Sequence, residues 1–143
     1  MYCFLLLILP SQIFEYSFEA EAEKQSPWTQ RSRIEITFKS SITSNSGIDH
    51  NARSLFNDYA IRNGSTLEEI SLRRTNDCPG LESVRKYEAN VMDCHEFQMY
   101  LYDLRPQRYS LKTAYVKCDR MASGICLWYT CADKDYQDVI SCK

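Results

Sequence analysis

Arg33-Ile34-Glu35-Ile36-Thr37-Phe38-Lys39 alternates strictly between apolar and polar residues. That period of two puts Ile34, Ile36 and Phe38 on one side of a strand, facing a core, and the charged residues on the other, facing water. Two later stretches alternate in the same way, Phe97-Gln98-Met99-Tyr100-Leu101-Tyr102 and Lys112-Thr113-Ala114-Tyr115-Val116-Lys117. Ile125 to Cys131 reads as a further apolar strand with a cysteine near each end. Leu55–Ile61 and Leu67–Leu72 read as weaker strands around Asn63-Gly64, a turn pair that tolerates positive φ. Leu81 to Tyr87 has room for a short helical turn, and Ser40 to Asp49 reads as a polar loop. Short strands separated by turn signals, with no long helical period, predict an all-β fold, a sandwich or a small barrel.

The chain has 143 residues, room for one domain. Charged residues make up 25% and hydrophobic ones 44%, which excludes a disordered tail and a membrane bundle. The net charge of -2 argues against a strongly basic nucleic-acid protein.

Phe4 to Leu9 is an apolar run closed by Pro10, shorter than the roughly 20 residues that span a bilayer. With Ala20-Glu21-Ala22 as a small-residue cleavage signal, residues 1–22 read as a secretory signal peptide. Its removal takes away Cys3 and three glutamates and brings the charge close to neutral. Residues 23–32 read as a flexible N-terminal arm, and 33–143 as a single β domain with a C-terminal cysteine tail. The product is expected to be secreted, with no membrane anchor.

The remaining cysteines, Cys78, Cys94, Cys118, Cys126, Cys131 and Cys142, lie in the C-terminal half. No Cys-x-x-Cys pair is present, so a disulfide framework is expected rather than a zinc ribbon, and six cysteines allow 15 pairings. Cys142, next to the last residue, suits either a bond to another chain or a tie within its own. No metal and no cofactor are expected.

Asn63-Gly64-Ser65 is an N-glycosylation sequon on an expected turn, so Asn63 is the glycan acceptor. His50 and His95 are the only histidines, and a ribonuclease-like acid/base pair with Lys112 or Lys117 would need both at one phosphate. No Gly-x-Ser-x-Gly elbow is present. No catalytic residue is assigned and no enzyme is expected. Arg73-Arg74, Arg85-Lys86 and Arg105-Pro106-Gln107-Arg108 are short basic clusters. Tyr100, Tyr102, Tyr109, Tyr115, Trp128 and Tyr129 supply amphipathic rings of the kind interfaces favour.

The segment Asn76-Asp77-Cys78-Pro79-Gly80-Leu81, the second cysteine Cys94 and the aromatic stretch Met99 to Asp103 together resemble the middle of a βγ-crystallin domain. That resemblance implies a Greek-key β-sandwich stabilised by disulfides; the calcium motif of such domains is absent. The set of six cysteines running from Cys78 to Cys142, Tyr115-Val116-Lys117-Cys118-Asp119-Arg120-Met121 and the ending Ser141-Cys142-Lys143 are similar to the interleukin-4-inducing principle family of schistosome eggs, also called alpha-1. The resemblance implies a secreted immunomodulatory glycoprotein and disulfide-linked homodimer. It would bind immunoglobulin E, sequester chemokines and trigger interleukin-4 release from basophils. By resemblance, Cys142 is the interchain cysteine, which leaves an odd number for internal pairing. The family's basic nuclear run is replaced here by the acidic stretch Ala132 to Asp138, so nucleic-acid binding is not expected. Another secreted cysteine-rich binding protein, a protease inhibitor or ligand, is the alternative, with a small ribonuclease behind it.

Overall fold

The computed structural model describes residues 31–41, 46–81, 83–104 and 108–142. The expected signal peptide lies outside them, as does the expected arm except for Arg31 and Ser32, and Ser32 already opens the first strand. The elements run β1 (Ser32–Ser40), α1 (Ser46–Arg62), α2 (Leu67–Ile70), β2 (Arg73–Asp77), β3 (Val84–Val91), α3 (Cys94–Tyr102), β4 (Leu111–Lys117), β5 (Ala122–Cys126) and α4 (Asp133–Ile140).

The five strands form one antiparallel sheet in the order β2-β3-β1-β4-β5. Two β-α-β units interlock in it: β1-α1-β2 straddles β3, and β3-α3-β4 straddles β1. This is the split β-α-β arrangement, with β5 added as a hairpin partner of β4 and α4 following. The expected antiparallel sheet and disulfides are therefore present. A second sheet, which a Greek-key sandwich requires, is not among the described residues, where helices lie against the sheet.

Strand β1 behaves as its alternation demands. Ile34, Ile36 and Phe38 are buried on one face, against Tyr87, Ala89 and Val91 of β3 and Ala114 and Val116 of β4. Helices α1 and α3 cover that face. Helix α1 offers Ile48, Ala52, Leu55, Phe56, Tyr59 and Ala60, all fully buried and spaced three and four apart, as one stripe of a helix must be. Leu55–Ile61 is thus the end of a 17-residue helix, not a strand. Asn63-Gly64 ends that helix instead of turning a hairpin. Gly64 has φ 68°, its N–H donates to Ile61 O (3.2 Å), and the Ser65 N–H reaches back to Ala60 O (2.8 Å). Those two bonds define the Schellman C-cap, which needs the same positive φ as the expected turn.

Phe97–Tyr102 is also helical. Asp93 caps α3 by accepting from the Glu96 N–H (3.1 Å), and Cys94, Phe97, Gln98 and Leu101 are buried at helical spacing. Phe97 stacks on Phe56 (5.2 Å between ring centres) and meets Tyr59 edge-on (5.1 Å). Leu67–Leu72 holds the one-turn α2, and most of the helical turn expected at Leu81 to Tyr87 is the start of β3. The last strand stops at Cys126, and residues 127–132 form a loop.

Among the described residues, the opposite face of the sheet is covered only in part, by α4. Val139 packs there with Val84, Cys78, Cys142, Leu81 and Tyr115 in a small apolar cluster. Gly124 of β5 admits the Tyr136 ring, which a Cβ at that position would meet at 3.0 Å. The rest of the contact is polar. A bulge between Lys39 and Ser40 leaves Lys112 as an extra residue of β4, so that Lys112 and Thr113 both reach Asp135. Lys39 Nζ lies 2.9 Å from Asp135 and 2.7 Å from Asp138, and the Ala132 N–H donates to Asp135 (2.8 Å).

Burial opposes ionisation of Asp135, but these donors, Lys39 first, outweigh it and hold the carboxyl at about 2. The folded value lies below the ordinary 3.8, so the stabilisation is complete above that pH and disappears as pH falls toward 2. The expected size is about 2 kcal/mol. Urea midpoints measured from pH 5 to 2 are expected to fall with that slope, and Asp135→Asn to flatten it.

Candidate functional site

All six cysteines of the described residues pair within the chain: Cys78–Cys142, Cys94–Cys118 and Cys126–Cys131, with Cα separations of 5.0, 6.2 and 5.8 Å. Cys78–Cys142 ties the end of α4 to the turn between β2 and β3. Cys142 is buried and bonded, which takes it out of the interchain role that the resemblance implies. Docking of α4 on the sheet brings the chain's end back to Cys78, and the parity problem disappears with the interchain bond. Cys94–Cys118 joins the start of α3 to the end of β4. Cys126–Cys131 closes the loop that holds Trp128 and the exposed Tyr129.

The two histidines are not brought together. His95 lies beside Glu96, whose carboxylate accepts from the Tyr59 hydroxyl (2.5 Å). His50 precedes Tyr59 by nine residues of α1, about 14 Å of helix axis. Lys112 is engaged with Asp135 of α4. Among the described residues no His/Cys/Asp/Glu group is arranged to hold a metal ion, and no helix is long and apolar enough to cross a membrane.

The basic clusters are mostly paired. Arg73 and Arg33 both bind Glu88, and Arg73 first holds that carboxyl below the usual range. Arg74 meets Asp49 (3.0 Å), Lys86 meets Glu35 (3.4 Å), and Arg85 is buried with its guanidinium on Val84 O. Arg105, Pro106 and Gln107 lie outside the described residues. Asn63 stands at the C-cap of α1, its side-chain amide donating to Tyr59 O (2.8 Å).

What the fold does assemble is a hollow of about 350 Å³ where the end of α1 meets the end of α3 and the segment entering β4. Two of the expected interface aromatics, Tyr100 and Tyr109, line it. Arg62 lies over the Tyr100 ring (5.7 Å to the centroid) and Arg108 over the Tyr109 ring (5.4 Å). Asp58 stands between the two pairs. It accepts from the Tyr109 hydroxyl (2.5 Å) and lies 3.6 Å from Arg108. Burial first, then the Asp58 carboxylate, pushes the Tyr109 hydroxyl far up, so it remains a donor at neutral pH. The Tyr100 hydroxyl donates to Leu55 O (3.0 Å), and burial raises it too, against its contact with Tyr109.

Three large apolar side chains of these two helices stand in solvent: Ile61 (66% exposed), which lines the hollow, on α1, and Met99 (47%) and Tyr102 (57%) on α3. Met99 and Tyr102 are three residues apart and share a helix face. The partly uncovered sheet face forms a second hollow of about 430 Å³, between Glu35, Lys86, Tyr115, Lys117 and Ile140. Asp58, Ile61, Arg62 and Asp103 carried no signal in the sequence; only the packing of α1 against α3 gathers them.

No family model, curated protein or solved structure matches the chain.

Proposed function

We propose that the chain is a secreted glycoprotein, stapled by three disulfides, that acts by binding a protein partner. The observation that carries this reading is the exposure of Ile61, which lines the hollow with Arg62 and Arg108, and of Met99 and Tyr102 on one face of α3. Apolar and aromatic side chains held in solvent on a rigid helix pair, flanked by arginine, have the composition of a binding hot spot. The sequon at Asn63 borders this surface, next to Arg62.

The resemblance around Tyr115 to Met121 and Ser141 to Lys143 supplies the partner: immunoglobulin E first, chemokines second, with interleukin-4 release from basophils as the cellular outcome. A covalent dimer through Cys142 is not part of the proposal, because that sulfur is bonded to Cys78. The Greek-key crystallin sandwich is not part of it either, because helices lie where the second sheet would pack. No catalytic residue is proposed.

Interferometry with the glycosylated protein on immobilised immunoglobulin E tests it, with an unrelated secreted glycoprotein as control. Saturable binding that Tyr102→Glu weakens by about tenfold or more supports the reading. No binding at micromolar concentration removes immunoglobulin E as the partner and moves the test to chemokines.

A further inference from the structure

Among the described residues, the charges around the hollow do not all cancel. Asp58 is engaged twice, by Tyr109 and Arg108. Arg62 lies on the Tyr100 ring, and among the described residues no carboxylate pairs with it. Asp103, which ends α3 on the same hollow, has no cation partner among the described residues. One guanidinium and one carboxylate thus border a single cavity, both exposed and neither neutralised by the other. Between them the walls are apolar and aromatic: Ile61, Leu104 and the rings of Tyr100 and Tyr109.

A cavity of about 350 Å³ lies at the small end of ligand-site sizes. A simple anion would satisfy Arg62 but meet the carboxylates of Asp58 and Asp103. A simple cation would satisfy Asp103 but meet Arg62 and Arg108. A ligand carrying both charges on one small frame satisfies both rims at once, and an apolar side chain on that frame covers Ile61 and Leu104.

We infer that this hollow binds a free α-amino acid with a bulky apolar side chain, its carboxylate on Arg62 and its ammonium on Asp103. The Arg62–Tyr100 stack holds the guanidinium in place before the ligand arrives, which reduces the ordering that binding requires. The Tyr109 hydroxyl is committed to Asp58, so it acts as wall rather than as a donor to the ligand. The hollow shares Ile61, Arg62 and Arg108 with the surface proposed above, but a small ligand is tested on the free protein, so failure of one reading is distinguishable from failure of the other.

Titration calorimetry of the secreted protein with L-phenylalanine and L-leucine tests the inference. Saturable binding with Kd below about 1 mM is expected. N-acetyl-L-phenylalanine, which lacks the ammonium, and phenethylamine, which lacks the carboxylate, are each expected to bind at least about tenfold more weakly. Arg62→Gln and Asp103→Asn are expected to weaken the amino acid by a similar factor. Both residues are exposed, so the fold is expected to survive, and Lys117→Gln on the other face is expected to leave binding unchanged. Equal affinity for N-acetyl-L-phenylalanine or phenethylamine, or no saturation by about 10 mM L-phenylalanine, would overturn it.

Discussion

Cys142→Ser is expected to lower the thermal midpoint of the protein by about 15 °C, corresponding to about 4 kcal/mol. The Cys78–Cys142 bond closes a loop between residues 64 apart in sequence, the longest of the three. Long loops restrict the unfolded chain most in the loop-entropy account. The native side gives little to replace it. Helix α4 has eight residues, too few to be stable alone, and only Asp135 and Val139 of it are buried. Its apolar cluster is small, and two of the four buried members are the cysteines themselves. The ion pairs of Lys39 with Asp135 and Asp138 and of Lys112 with Asp135 remain, but the ~2 kcal/mol assigned to Asp135 is smaller than the contribution of the disulfide. Scanning calorimetry measures the midpoint, and hydrogen exchange is expected to show α4 unprotected. A midpoint within about 3 °C of the parent would mean that polar contacts and Val139 hold α4 unaided.

Phe97→Ala is expected to cost about 3–5 kcal/mol, with no change in disulfide pairing. Phe97 is fully buried at the crossing of α3 and α1. It touches the rings of Phe56 and Tyr59 and lies 6.1 Å from Tyr100, so truncation opens a void that three aromatic side chains share. Offset and edge contacts between rings add to the area term, and none of these is recovered by collapse of a helix pair pinned to the sheet. Phe97→Leu, which keeps most of the volume, is expected to cost about 1 kcal/mol. Guanidinium unfolding of the three proteins measures the differences. Because the hollow rests on the same helix crossing, Phe97→Ala is also expected to weaken any ligand held by Arg62 and Tyr100.

The strands that alternate strictly were readable from the sequence, and the helices were not, for reasons that particular residues show. Ile34, Ile36 and Phe38 leave no other period, and Lys112 to Lys117 behaves likewise apart from its bulged first residue. Helix α1 hides because its buried stripe begins inside a Ser, Asn and Gly-rich stretch and includes two small alanines, so only its apolar end stands out. Phe97 to Tyr102 satisfies both periods, with apolar residues at 97, 99 and 101 and also at 97, 100 and 101. The deciding signal was local and upstream: Asp93 followed three residues later by Glu96 marks a helix start. Asn63-Gly64 shows the same limit, since a left-handed glycine serves a hairpin and a helix end equally.

The candidate site was half legible. Tyr100, Tyr109 and Arg108 belong to residue types that stand out in the sequence as binding material. Asp58, Arg62 and Asp103 do not, since each is an ordinary polar residue on the solvent side of a helix. Their meaning comes from the crossing of α1 and α3, which joins positions about 40 residues apart. The cysteines were legible as a framework but not as a map, because pairing depends on where α4 docks.

The disulfide map of the protein tests the account most directly, because the internal latch separates this fold from a dimer linked covalently through Cys142. Non-reducing proteolysis with mass spectrometry is predicted to find the Cys142 peptide joined to the Cys78 peptide, alongside Cys94–Cys118 and Cys126–Cys131. The intact mass is predicted to be that of a monomer. A Cys142 peptide joined to its own copy from a second chain, with Cys78 joined elsewhere, would contradict it.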